Sequence, residues 1–103
     1  MTLSSEILGL VSDIHNSLRA RGETLSTAES LTAGGLSHAL TIVPGASDVF
    51  LGSITAYRAD IKVSHLGVDE AVIEERSVVS EEVAIAMANG ANKSFGSTWA
   101  IST

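Results

Sequence analysis

Leu25-Ser26-Thr27-Ala28-Glu29-Ser30-Leu31-Thr32-Ala33-Gly34-Gly35 is the stretch from which the rest of this chain can be read. Glu23 to Ala28 reads as a strand, short enough to be a buried central one. A polar corner follows, and an apolar helical pattern opens at Leu36 and runs to Val43. Strand, corner and helix in immediate succession are the start of an α/β layer fold. The corner also gathers a hydroxyl, a carboxylate and backbone N–H groups at one place. A helix N-terminus leaves its first N–H groups without partners and carries about half a positive charge, so an anion or a developing oxyanion can be held there. Ser30 stands where a nucleophile would benefit. The plainer alternative is that Ser30 or Thr32 only caps the helix.

Working outward, the remaining elements repeat the alternation. Before the corner, Ile7, Leu8, Leu10, Val11, Ile14 and Leu18 recur at helical spacing from Ser4 to Arg21. Gly22 stops that helix, with Arg19 and Arg21 in its last turn. His15 falls on its flank, where a surface position is expected. His38, in the helix after the corner, is expected to be at the surface or packed. Pro44-Gly45 ends that helix, and Val49 to Tyr57 is the clearest strand, with Gly52 marking a bulge or a close approach. Short helical pieces follow at Arg58–Leu66 and Ala71–Arg76, the second with Asp69 as N-cap. Ser80 opens a longer helix whose apolar stripe is Val83, Ala84, Met87, Ala91 and Phe95, and whose end is Gly96. Thr98 to Thr103 reads as a third strand. Strands separated by helices predict a parallel or mixed sheet.

Composition narrows the function. The 103 residues make one small domain, 45% apolar with few aromatics. A net charge of −6 and the lack of any basic stripe argue against a nucleic-acid partner. There is no cysteine, which removes disulfides and thiolate metal sites. No apolar run approaches the roughly 18 residues of a membrane span. A soluble, cytoplasmic protein with no membrane partner is expected.

In an open α/β sheet, ligands gather beyond the carboxyl ends of the strands. Ser30 follows the first strand, Tyr57 ends the second, and Lys62 lies about one helical turn beyond. If those strands are neighbours and parallel, the three side chains converge. Serine is a weak nucleophile until a base takes its proton. No histidine lies at a comparable strand end, so Lys62 is the natural base, with its ordinary pKa near 10.4 lowered by burial or a neighbouring positive charge. Tyr57 would position Lys62 or relay the proton. The N–H groups after Thr32 would form an oxyanion hole. Glu29 is better suited to capping the helix or binding substrate hydroxyls than to acting as a base. The competing reading is a solvated Lys62 and a Tyr57 that merely packs.

Thr27-Ala28-Glu29-Ser30-Leu31-Thr32-Ala33-Gly34 resembles the Thr-Ala-Glu-Ser-x-Thr-Gly-Gly signature of the CinA C-terminal domain family, the nicotinamide-nucleotide amidases. The resemblance extends to Val43-Pro44-Gly45-Ala46-Ser47, to Tyr57 with Lys62 and Leu66-Gly67-Val68, and to Val79-Ser80-Glu81-Glu82-Val83-Ala84 with Met87-Ala88 and Gly90. It implies a three-layer α/β/α fold and hydrolysis of nicotinamide mononucleotide to nicotinate mononucleotide and ammonia. The matching catalytic positions are Ser30, Lys62 and Tyr57, and the matching substrate-binding positions are Glu29, Thr32, Ala33 and Gly34. It implies no metal and no redox cofactor. A pyridine nucleotide would be the small-molecule partner, and a homo-oligomer, a dimer first, the assembly. Ala33 departs from the signature's glycine. The family pattern also continues beyond Thr103 into a Thr-Gly-x-Ala-Gly-Pro loop, further strands and a closing helix, so residues 1–103 read as one C-terminally truncated domain. A non-catalytic relic that binds nucleotide or a partner is the alternative to an enzyme.

Overall fold

A computed structural model describes residues 2–103. Its elements run α1 (Ser5–Arg21), β1 (Leu25–Glu29), α2 (Gly35–Thr41), β2 (Phe50–Thr55), α3 (Ala59–Leu66), α4 (Glu70–Arg76), α5 (Glu81–Phe95) and β3 (Trp99–Ser102). The strands form one sheet in the order β2-β1-β3, every pair parallel. The expected elements are all present, each within a few residues of its anticipated ends, and the sheet is parallel rather than mixed.

The helix ends follow from local chemistry. Ser4, Asp69 and Ser80 each accept an amide of the first turn through the side chain, at Ile7, Ala71 and Val83 respectively. Gly22, Gly67 and Gly96 close α1, α3 and α5 in the left-handed conformation. Among the described residues no helix is long and apolar enough to cross a membrane.

β1 is central, and all five of its residues are buried. Its alternation divides the core. Leu25 packs with Leu18, Leu40 and Val49 on the side of α1 and α2, whereas Ala28 packs with Leu66, Val68, Val83, Met87 and Ala91 on the side of α3–α5. The sheet is therefore covered on both faces, which is the three-layer α/β/α arrangement. Gly52 makes this division possible on β2. The register shifts at this point, so that Phe50 faces Leu25 while Gly52 faces Ser26. Phe50 joins the α2 side and Ile54 the α5 side, a parity that an unbroken strand would forbid. Gly52 has φ +151°, and a Cβ there would stand 2.9 Å from the Phe95 ring. Both roles anticipated for Gly52 are realised.

His15 departs from expectation. It is buried, not on the surface, because its flank of α1 is the one that meets α2. Its Nε2 lies 2.9 Å from the Leu40 carbonyl, one of the oxygens left free at the end of α2. His38 is exposed. On α1, Val11 and Leu18 are buried, but Ile7, Leu10 and Ile14 of the same apolar pattern remain substantially exposed.

Candidate active site

Parallel strands place their carboxyl ends on one edge, so Ser30, Ala56 and Thr103 meet there. The peptide between Glu29 and Ser30 is held from both sides. The Ala56 amide donates to the Glu29 carbonyl at 2.9 Å, and the Ser30 amide donates to the Thr103 carbonyl at 2.8 Å. A tight turn begins at once, in which the Ala33 amide donates to the Ser30 carbonyl at 3.1 Å. Ala33 and Gly34 both take positive φ, +49° and +99°. That conformation explains why a glycine suits position 33, and alanine there stores about 1–2 kcal/mol of strain.

Lys62 sits in the first turn of α3 and is only 3% exposed. Its Nζ lies 2.8 Å from Ser30 Oγ, 2.8 Å from the Ala56 carbonyl and 2.8 Å from the Tyr57 carbonyl. Among the described residues no carboxylate oxygen comes within 4.0 Å of it. Burial therefore acts alone and lowers its pKa. As an ammonium Lys62 donates to all three oxygens; on losing one proton it keeps two N–H bonds for the two carbonyls and can turn a lone pair to the Ser30 hydroxyl.

Tyr57 contributes differently from the expected way. Its side chain is 71% exposed and its hydroxyl has no hydrogen-bond partner among the described residues. The positioning of Lys62 comes from the Tyr57 backbone carbonyl, which any residue would supply.

Glu29 is fully buried, at 0% exposure. Its Oε1 accepts the Leu36 amide at 2.8 Å and the Thr32 hydroxyl at 2.7 Å. Its Oε2 accepts the Ser37 amide at 2.9 Å and the Ser37 hydroxyl at 2.6 Å, with Ser53 at 3.3 Å. Burial by itself raises its pKa, but the bonds from Ser37, Thr32 and Leu36 more than offset that and hold it at about 2. Glu29 thus caps α2, as one of the two expected roles required. It has no oxygen to spare for substrate hydroxyls, and it occupies the helix N-terminus that an external anion would have used. The amides of Leu31, Thr32 and Gly34, in the turn before α2, have no protein acceptor among the described residues. They are the donors left for an oxyanion.

Sequence reasoning missed Ser37, Ser53 and the Ala56 and Tyr57 carbonyls. A strand carboxylate with no basic residue nearby was the available signal, since it requires several uncharged donors around it. Among the described residues no three His, Asp or Glu side chains are grouped so as to hold a metal ion.

Comparison with known proteins agrees with this architecture. The family described as "CinA C-terminal domain" matches residues 8–103. A CinA-like protein of Salinibacter ruber is 49% identical over 88 residues, which are 85% of this chain and 21% of that protein. A CinA-like protein of Prochlorococcus marinus is 47% identical over 100 residues, 97% of this chain and 22% of that protein. The chain thus spans about a fifth of the length of the curated relatives it matches. Among solved structures, the competence/damage-inducible protein CihA of Agrobacterium tumefaciens superposes with a TM-score of 0.94 at 32% identity, covering 99% of this chain and 62% of that one. A CinA superfamily protein of Escherichia coli superposes with a TM-score of 0.92 at 30% identity, covering 99% and 60%.

Proposed function

Since the chain belongs to the CinA C-terminal domain family, we propose that it serves an amidohydrolase acting on the carboxamide of nicotinamide mononucleotide. The observation that carries this reading is the 2.8 Å contact between Lys62 Nζ and Ser30 Oγ, made by a buried lysine with no carboxylate beside it. Resemblance of the Thr27–Gly34 corner to the signature of nicotinamide-nucleotide amidases supplies the substrate.

In the proposed reaction Ser30 Oγ attacks the carboxamide carbon while its proton passes to Lys62 Nζ. The carbonyl oxygen becomes an oxyanion facing the free amides of the Leu31–Gly34 turn. Lys62 then returns the proton to the amide nitrogen, the C–N bond breaks, and ammonia leaves. Water attacks the ester on Ser30 with Lys62 again taking the proton, which gives nicotinate mononucleotide and restores the serine. Burial of Lys62 favours the neutral amine that both half-reactions need.

The test is ammonia release from nicotinamide mononucleotide, with Ser30→Ala as control. Release that disappears in a Ser30→Ala protein of unchanged fold supports the assignment, and unchanged turnover in that variant sinks it. A second reading is a module that binds the nucleotide without turning it over. Calorimetric binding with no ammonia released would favour that reading.

A further inference from the structure

Glu29 presents an unusual problem of solvation. It is a fully buried anion with no basic side chain within 4.0 Å among the described residues. Burying an uncompensated carboxylate costs several kcal/mol, so its oxygens must be solvated by fixed donors. Most of those donors belong to α2 and β2, and the Thr27 hydroxyl of β1 adds a longer bond at 3.4 Å. Thr32 differs from all of them, because it lies in the nucleophile's own turn and is itself exposed.

The Thr32 hydroxyl has one proton, and that proton goes to Glu29 Oε1 at 2.7 Å. The 2.6 Å contact between the Thr32 and Thr103 hydroxyls must then be donated by Thr103. A directional chain results, from Thr103 through Thr32 to the buried carboxylate. It ties the end of β3 to the middle of the Ser30–Gly34 turn. The turn needs such a tie, because Ala33 holds a left-handed conformation that a free chain would leave.

We propose that Thr32, anchored on Glu29, is a positioning residue for Ser30: its hydroxyl holds the strained turn so that Ser30 Oγ stays against Lys62 Nζ. This rests on reading Ser30 as nucleophile and Lys62 as its base. The Thr32 hydroxyl takes no proton and touches no reacting atom; only the residue's amide faces the oxyanion. Loss of its hydroxyl frees the turn, and a displacement of about 1 Å at a reacting atom costs about a hundredfold in rate. Loss of the hydroxyl also takes one donor from Glu29 and lowers stability, so reactivity is compared where each variant is fully folded.

The experiment compares wild type, Thr32→Val and Thr32→Ser. A small dialkyl fluorophosphate reports on Ser30 directly, since its Oγ–P bond forms as fluoride leaves and the hydroxyl proton passes to Lys62. The labelling rate at Ser30, located by peptide mass, is measured across pH beside kcat and KM for nicotinamide mononucleotide. Thr32→Val is expected to label at least about tenfold more slowly and to lose kcat with KM unchanged. Its labelling is half-maximal at the same pH as wild type, because Lys62 is untouched, and Thr32→Ser restores most of the rate. Labelling of Thr32→Val at the wild-type rate overturns the proposal, as does a serine variant no better than valine. Thr32→Ala removes the same hydroxyl with less bulk and replaces valine if that variant does not fold. Slowed labelling in the valine variant with no ammonia released by any protein leaves the positioning role standing and refutes the substrate reading. A wild type that does not label at Ser30 refutes both.

Discussion

Replacing Glu29 by glutamine keeps the side chain's shape and removes its charge, in a place where the structure makes the consequence calculable. The carboxylate is held from an ordinary 4.5 down to about 2. At 1.36 kcal/mol per unit that depression corresponds to about 3 kcal/mol of folding stability. The sign follows from the direction. A carboxyl group with a lower pKa folded than unfolded stabilises the fold fully above pH 4.5, and that contribution is lost as pH falls toward 2. Glutamine also brings a donor where only donors are waiting. Its NH2 must face either the Leu36 amide or the Ser37 amide and hydroxyl. An unsatisfied buried donor costs a further 1–3 kcal/mol or so. Glu29→Gln should therefore be about 4–6 kcal/mol less stable than wild type at pH 7. That is a large part of the roughly 5–15 kcal/mol typical of a domain. The assay is urea unfolding followed by far-ultraviolet circular dichroism, on both proteins, from pH 7 down to pH 2.5. The gap between the two should be constant above about pH 5 and shrink by about 3 kcal/mol toward pH 2. A gap independent of pH would refute the claim that Glu29 is a buried, donor-solvated anion.

Other consequences are simpler to check. Ala33→Gly should stabilise the protein by about 1 kcal/mol, seen as a thermal midpoint a few degrees higher, because φ +49° no longer strains a Cβ. Gly90→Ala should cost about 3 kcal/mol or more in urea unfolding, since a Cβ there meets the backbone of Leu66 where α5 crosses α3. Tyr57→Phe removes a hydroxyl with no partner among the described residues, so kcat should stay within about twofold. A loss of about tenfold or more would mean that the phenol touches substrate.

Much of this architecture was legible because the signals were local. The cap at Asp69, the helix start at Ser80, the glycine stops at Gly22 and Gly96, and the apolar stripe of α5 depend on residues a few positions apart. Gly52 was readable as an interruption in an otherwise clear strand. The meeting of Ser30 with Lys62 was also legible, because parallel neighbouring strands bring their carboxyl ends together whatever the details. What escaped depends on direction in space. His15 stands between Val11 and Leu18 on one face of α1, but a histidine in that stripe does not itself show that α2 will bury it. Tyr57 acts on Lys62 through its carbonyl, and backbone atoms leave no trace in residue identity. The saturation of Glu29 needed Ser37 and Ser53, eight and twenty-four positions away along the chain.

The account stands or falls on whether Lys62 is a base within reach of Ser30. The direct measurement is an NMR titration of the lysine side chains, which Lys62 shares only with the exposed Lys93. The account predicts that Lys62 loses its proton below the ordinary lysine value of about 10.4, and that Ser30→Ala shifts its Nζ signal. Titration of Lys62 at or above that value, with a signal indifferent to Ser30→Ala, would contradict it.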